Sequence, residues 1–311
     1  MRKFIKKTFL FSSVLIIIFS IWVLLKFVQL QTVSDISLEH VNQKKNPMVY
    51  AISYADGESV YFKNQNFWAM STINKGVDCI FLYNKNHIDE DFYSKNKEIL
   101  DRKRGSGYWL WKPYFILKTL KSVPENSIVV YSDAGSFVEN DLTHLLEKLK
   151  SGIIAFRGGH KNEGYFKKDS LVLMGLDKSW DIIRKKQHIQ ATNLVFRNNK
   201  KTRDFVGKWL LFAQDSRILT DSVTTQGEEY PGFIGHRHDQ SILNLLCYEN
   251  PFCQVLGADI ESQYFLQHRR RQYDSYFSLW GLKYKKILGR FFCKNIYNSK
   301  MVQYIRRLYV D

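Results

Sequence analysis

Five short runs of β-branched and aromatic residues, separated by helical stretches, constrain the fold more than any other feature of this chain. They are "MVYAISYA" (48–55), "VDCIFLYN" (77–84), "SIVVYSDAG" (127–135), "GIIAFRGG" (152–159) and "ATNLVFRNN" (191–199). Each is bounded by Gly, Asn or Asp, which suits buried strands. Between them, "KPYFILKTLKS" carries Pro113 in its first turn, where a missing amide is tolerated. "DLTHLLEKLK" (141–150), "TRDFVGKWLLFAQ" (202–214) and "DQSILNLLCYE" (239–249) continue the theme. Strands alternating with helices predict an α/β domain with a mostly parallel sheet flanked by helices. In such sheets ligands bind at the carboxyl ends of the strands. With no internal repeat and no low-complexity linker, residues 48–265 read as one domain.

The N-terminus has a different character. Arg2, Lys3, Lys6 and Lys7 precede a stretch from Thr8 to Leu25 that carries no charge, and Phe27 and Val28 extend it past Lys26. That length crosses a bilayer as a helix. A cleaved signal peptide would have a shorter core ending in a small-x-small site; this stretch is long and bulky, so residues 8–28 are expected to be an uncleaved anchor. The excess of basic residues before the span places residues 1–7 in the cytoplasm and the rest across the membrane, a single-pass type II arrangement. Residues 29–47 then form a stem. The host membrane would be a Golgi membrane in a eukaryote or the inner membrane in a bacterium. No Asn-x-Ser/Thr sequon occurs. Cys79, Cys247, Cys253 and Cys293 lack paired C-x-x-C spacing, which argues against structural zinc. Cys247 and Cys253 are either a local disulfide or two buried thiols.

Lys and Arg number 46 against 30 Asp and Glu, a surplus that favours anionic partners. Two segments concentrate the chemistry. In "GSGYWLWKPY" (105–114), Gly105 and Gly107 allow close approach of the backbone, and Arg102, Lys103, Arg104 and Lys112 are available to phosphate. Trp109 and Trp111 share a face if the segment is extended and diverge if a helix has begun, in which case one is core. Tyr114 and Phe115 are expected in the core. The third strand ends in Tyr131-Ser132-Asp133-Ala134-Gly135. An acid at the mouth of a buried strand requires a cationic partner, or else serves only as a turn residue.

These pieces resemble the GT-A type nucleotide-diphospho-sugar transferases, and more narrowly relatives with a W-L-W-K-P segment. "GYWLWKPYFILKTL", "VVYSDAG", "FKKDSLVLMGLD", "ATNLVFRNN" and "HRHDQSILN" keep the family's order over residues 104–245. The resemblance implies a Rossmann-like GT-A fold, a nucleotide diphosphate sugar donor, and a glycan or lipid-linked acceptor. It implies a donor pocket drawn from Ser53, Arg104, Gly105, Gly107, Trp109, Trp111, Lys112, Asp133, Gly135 and His238. The family often has Asp-x-Asp at the strand end. Here Asp133 matches the first acid and Gly135 replaces the second, which leaves a Mn or Mg requirement open. His268 is the second expected metal ligand.

Asp239 opens a helix in "GHRHDQSILN", where the family carries an acid near the reacting carbon. If the enzyme inverts, Asp239 is the expected general base, whereas a retaining enzyme needs no dedicated base; a simple helix cap is the alternative. Asp169 in "FKKDS" is the second candidate. His236 and His238, two apart, also suggest a metal pair. Residues 266–311 interleave basic and aromatic residues, which suits a surface on anionic lipid, a diphosphate or polyanionic-acceptor contact, or a solvated helix; nucleic acid is not expected, because no nucleic-acid module is visible. Membrane-anchored glycosyl transfer is the leading expectation. A non-catalytic glycan- or nucleotide-binding protein on the same fold comes second, and a metal hydrolase third.

Overall fold

A computed structural model describes residues 47–150 and 152–267, together with Ile16, Ile17, Phe19 and Ser20, which are helical. The expected anchor (apart from those four residues), nearly all of the stem, and the basic tail from His268 onward lie outside the described residues. Among the described residues no helix is long and apolar enough to cross a membrane. Residues 47–267 lie within one compact unit.

The chain of this unit runs β1 (Val49–Tyr54), α1 (Ser59–Thr72), β2 (Cys79–Tyr83), α2 (Glu90–Leu100), α3 (Trp111–Ser122), β3 (Ile128–Ser132), β4 (Ser136–Val138), α4 (Thr143–Glu147) and β5 (Ile153–Lys161). It continues with α5 (Lys168–Leu173), α6 (Trp180–Ile183), β6 (Gln187–Arg197), α7 (Lys200–Ala213), α8 (Ser216–Leu219), α9 (Asp239–Glu249), β7 (Cys253–Leu256), α10 (Ala258–Tyr264) and β8 (Phe265–Gln267). Six strands form one sheet in the order β2-β1-β3-β6-β5-β7. β1 pairs in parallel with β2 and β3, and β5 with β7; β6 alone runs against the other five. A small ribbon joins β4 to β8, with Ser136 opposite Gln267, so pairing continues past residue 265.

All six β1 residues and all five β3 residues are buried, as expected of strands covered on both faces. Their side chains sort with period two. Tyr50, Ile52 and Tyr54 of β1, with Val129 and Tyr131 of β3, join the core beneath α3, α7 and α9. Ile128 and Val130 join the opposite core with Leu142, Leu145 and Leu146. The alternation continues one step past β3, so Asp133 falls on the side of α3 and α9.

β6 does not keep a regular register. Val195 lies opposite Ile154, whereas Gln190 lies opposite Phe156, so β6 bulges over Ala191–Leu194. A bulge bends the strand and re-aims backbone groups. Here it turns two carbonyls toward the end of β3. The Asp133 amide donates to the Thr192 carbonyl at 2.8 Å, and Lys112 Nζ donates to the Ala191 carbonyl at 2.9 Å. The first turns of α9 hold the bulge in place: Gln240 donates to the Ile189 carbonyl, and Asn244 both accepts from the Ile189 amide and donates to its carbonyl.

Candidate active site at the carboxyl edge of the sheet

Three elements converge where β3 ends. α3 contributes Lys112 from its first turn, α9 contributes Asp239 as its first residue, and the residue following β3 is Asp133. A lysine at a helix N-terminus works against the helix dipole, so something else must hold it there. Lys112 Nζ lies 3.1 Å from Asp133 Oδ1 and 3.2 Å from Asp239 Oδ2. With the Ala191 carbonyl this makes three oxygen neighbours for three ammonium protons. The faces of Tyr131 and Trp111 stand 5.3 and 5.8 Å from the same nitrogen. Burial acts to strip the lysine of its charge, but the two carboxylates overcome it and hold its pKa above the ordinary lysine value.

The two acids differ sharply. The Asp133 side chain is 34% exposed and that of Asp239 only 5%. Tyr131 donates to Asp133 Oδ1 at 2.5 Å, and burial followed by the Asp133 charge keeps that phenol protonated far above its usual range. Asp133 therefore receives both partners on Oδ1. Asp239 is buried beside the lysine; burial pushes its pKa up to about 6, Lys112 pulls it down and Asp133 raises it further. Its Oδ2 has the lysine as an ion-pair partner but no aligned hydrogen-bond donor. The cap expectation for Asp239 is corrected: His238 is the N-cap residue, and Asp239 is the first helical residue. Trp209 anchors this helix start by donating to the Asp239 carbonyl at 3.0 Å.

The Gly-aromatic segment is neither extended nor helical in the ordinary sense. Gly105, Ser106, Gly107, Tyr108 and Trp109 all have positive φ, from 50° to 93°, and form a left-handed turn. The glycines serve this turn rather than a ligand. A Cβ on Gly105 would lie 2.5 Å from the Trp109 ring, and one on Gly107 would lie 2.8 Å from the Leu100 Cα. Ser106 donates to Asp56, just past the end of β1. α3 has begun by Trp111, so the two tryptophans diverge. Trp111 is core, stacked on Tyr54 at 4.0 Å with its indole N–H donated to the Gly105 carbonyl. Trp109 packs on Gly105 and stacks on His238 at 5.3 Å. Tyr114 and Phe115 are in the core, as expected.

Lys112 is at the centre of this cluster but is buried and committed to three oxygens, not free for phosphate. Ser53 is buried inside β1, its carbonyl accepting from Gln65. Arg104 is largely exposed and pairs with Asp221 at 3.3 Å. Asp169 is enclosed: it accepts from the Thr224 and Thr225 hydroxyls and the Thr225 amide, and Lys167 lies 3.4 Å away. Burial works to raise its pKa, but those donors hold it below the ordinary carboxylate value. It pins the 220s loop onto α5 and cannot act as a base on a substrate without breaking that network.

The histidine pair is not a metal pair. His236 accepts from the Lys167 amide on Nδ1 and donates from Nε2 to the Ile218 carbonyl, so both nitrogens are committed. His238 donates from Nδ1 to the Leu219 carbonyl at 2.8 Å, and Asp221 stands 3.8 Å from its Nε2. Its own φ of 55° is strained for a non-glycine residue. A cavity of about 300 Å³ reaches this corner, lined by Arg102, Tyr108, Ser216, Thr220, Asp221 and Ser222.

A divalent ion would find little to hold it. Asp133 Oδ2 is one free oxygen, Gly135 adds none, and among the described residues no three His, Cys, Asp or Glu gather around a common point. Among the described residues, Asp133 is the one expected metal ligand at this edge. His268 lies outside the described residues.

Sequence reasoning missed Tyr131, Asp56, Asp221 and the Ala191 carbonyl. Asp56 alone carried a signal, as an acid just beyond a strand.

No family model matches this chain, and no curated protein matches it. Solved structures similar in fold include the apo form of glycosyltransferase GlyE from Streptococcus pneumoniae TIGR4, at 20% identity and a TM-score of 0.36, over 67% of this chain and 45% of that one. The apo bifunctional glycosyltransferase WbbM follows at 14% identity and a TM-score of 0.41, over 74% of this chain and 42% of that one. The galactosyltransferase LgtC, solved with donor and acceptor sugar analogs, is similar at 16% identity and a TM-score of 0.36, over 68% and 73%. The match spans less than half the length of the first two structures. The functional reading rests on the site itself.

Proposed function

We propose that this chain is a membrane-anchored glycosyltransferase that moves a sugar from a nucleotide diphosphate sugar to a hydroxyl of a glycan or lipid-linked acceptor. The Lys112–Asp133–Asp239 cluster carries the reading. It brings two carboxylates and an ammonium together at the edge where parallel strands end, with one carboxylate open to solvent. An inverting transfer to a hydroxyl needs a group that takes its proton, and a positioned carboxylate supplies one. Arg102 and Arg104, at the rim beside the cavity, suit the diphosphate, because guanidinium matches phosphate oxygens in pairs.

The test is release of nucleoside diphosphate from a panel of donors in the presence of mixed glycan and lipid-linked acceptors. Release with at least one donor, lost in Asp133→Asn, is expected. Tight nucleotide binding with no release from any donor would favour the non-catalytic alternative, which the glycine at position 135 keeps open.

The far-side, type II topology belongs to this proposal. The Cys247–Cys253 disulfide supports it, because such bonds persist in oxidising compartments. Digestion of the 48–311 region from the cytosolic side of sealed vesicles would overturn it.

A further inference from the structure

A second polar corner of the carboxyl edge takes no part in the Lys112 cluster. Tyr165, in the loop that follows β5, is its centre. The Arg237 guanidinium lies over the Tyr165 ring, 4.5 Å from the centroid, and the His160 ring, from the end of β5, stands 5.4 Å from it. Both of these side chains belong to exposed residues. A guanidinium laid on a ring keeps its N–H edge free to meet an oxyanion with two parallel bonds. Among the described residues no carboxylate claims that edge. Glu163, two residues before Tyr165, pairs with Arg184 at 2.8 Å. Glu261, on the same flank of the sheet, is taken up by the side-chain amides of Gln190, Asn193 and Gln267.

The corner is joined to the start of α9. The Arg237 amide donates to Ser241 Oγ at 3.2 Å, and Ser241 Oγ donates to the Tyr165 carbonyl at 3.0 Å. One hydroxyl, two residues past Asp239, therefore fixes both the arginine and the ring it lies on. The ground beside them is bare. At Gly159, next to His160, and at Gly235, two residues before Arg237, a Cβ would meet no atom within 4 Å. The buried His188 ring stands 6.0 Å from Tyr165. Burial first, then Arg237 and His160, hold its pKa down. His238 separates this corner from Arg104: it stacks on Trp109, and its neighbour Asp221 pairs with Arg104.

We propose that Arg237 and His160, arranged around Tyr165, bind a phosphate group carried by the acceptor, so that the acceptor is anionic. The proposal rests on the transferase reading and names the acceptor's chemistry within it. Arg104 and Arg102 serve the donor diphosphate on one side of His238, and Arg237 serves the acceptor on the other. Arg237 supplies the fixed charge, His160 a ring N–H, and the glycine-lined ground room for the sugar that bears the phosphate. The phosphate belongs either to a phosphorylated glycan or to the diphosphate of a lipid-linked one.

The experiment uses the full chain in detergent micelles, with phenyl phosphate as the probe and calorimetry as the readout. It compares wild type with Arg237→Gln, His160→Gln, Arg104→Gln and Lys201→Gln, the last a control that removes an exposed charge from α7. Arg237→Gln is expected to weaken phenyl phosphate binding roughly 10-fold or more, as befits a lost charge-assisted contact. His160→Gln should weaken it less, and Lys201→Gln not at all. With the donor found active, Arg237→Gln should raise KM for a phosphorylated acceptor roughly 10-fold more than for its neutral counterpart. A soluble phosphorylated glycan and a lipid-linked diphosphate glycan, run as separate arms, identify which source of phosphate is read.

Phenyl phosphate affinity equal in wild type and Arg237→Gln would overturn the proposal. So would affinity lost in Arg104→Gln alone, which would put the anion at the donor corner. Binding to vesicles of anionic phospholipid that falls in Arg237→Gln, with phenyl phosphate affinity unchanged, would make this corner a lipid-facing surface instead. A wild-type chain inactive with every donor that still binds phenyl phosphate through Arg237 would sink the transferase reading alone and leave the anion site standing.

Discussion

Lys112 shows how far one residue's role depends on its surroundings. By its place in the sequence, it is a cation ahead of a helix, available to phosphate. In the fold it is 3% exposed and holds two carboxylates apart. Removing one partner of a buried ion pair leaves uncompensated charge, which typically costs about 3–5 kcal/mol. Lys112→Met is therefore expected to lower stability by roughly that amount, read from denaturant midpoints at constant m. Adding Asp239→Leu should recover much of the loss, because the stranded buried charge goes with it. If Lys112→Met alone proves neutral, the two carboxylates are not both ionised in the native state.

At the scale of elements, the left-handed turn and the β6 bulge do most to assemble the site. Each non-glycine residue held in left-handed backbone costs of the order of 1–2 kcal/mol, and Ser106, Tyr108 and Trp109 are all so held. Such strain persists only where surrounding contacts over-determine it. The turn delivers Trp109 onto His238, and the next residues start α3 with Lys112 in its first turn. Gly107→Ala tests this directly. It adds a Cβ 2.8 Å from the Leu100 Cα at a φ of +93°. A loss of about 2 kcal/mol or more is expected, with a change in tryptophan fluorescence as Trp109 shifts. Gly57→Ala is the control, since its φ of +85° is similar but no atom lies within 4 Å. Equal losses in the two variants would show that backbone strain, rather than packing onto α2, accounts for the effect.

For the whole molecule, the buried histidines set the response to acid. Burial holds His188 down to about 3, and His236 and His238 below their usual value. In the unfolded chain each titrates near about 6.5. Below that pH the unfolded state takes up protons that the native state refuses, so stability falls as pH drops from about 6.5, by up to roughly 1.4 kcal/mol per pH unit for each group. Asp239 acts in the opposite sense. Its folded pKa of about 6 lies above the unfolded 3.8, so its contribution is greatest at low pH and is lost as pH rises through that window. Three histidines outweigh one aspartate, and Tm is expected to fall between pH 7 and pH 5, with a shallower fall in His236→Gln. A flat profile over that range would mean the histidines are charged in the native state.

Hydrophobic run length, β-branching and helical spacing are local properties, and the sequence determined what depends on them. The five strand runs are strands, α9 begins at Asp239, and Asp133 directly follows a buried strand at the carboxyl edge of the sheet. Tertiary structure alone decided the rest. Strand direction depends on where the chain returns, so β6 running against its neighbours left no mark in its composition. The bulge that aims the Ala191 carbonyl exists only through its pairing with β5 and α9. Gly105 and Gly107 announced a bend but not whether ligand or protein would fill it, and Trp111 became core because α3 had already begun. Asp169 and Asp239 look alike as acids in a row of residues. They parted because desolvation and hydrogen-bond donors come from residues distant in sequence, the 220s loop for one and Lys112 for the other.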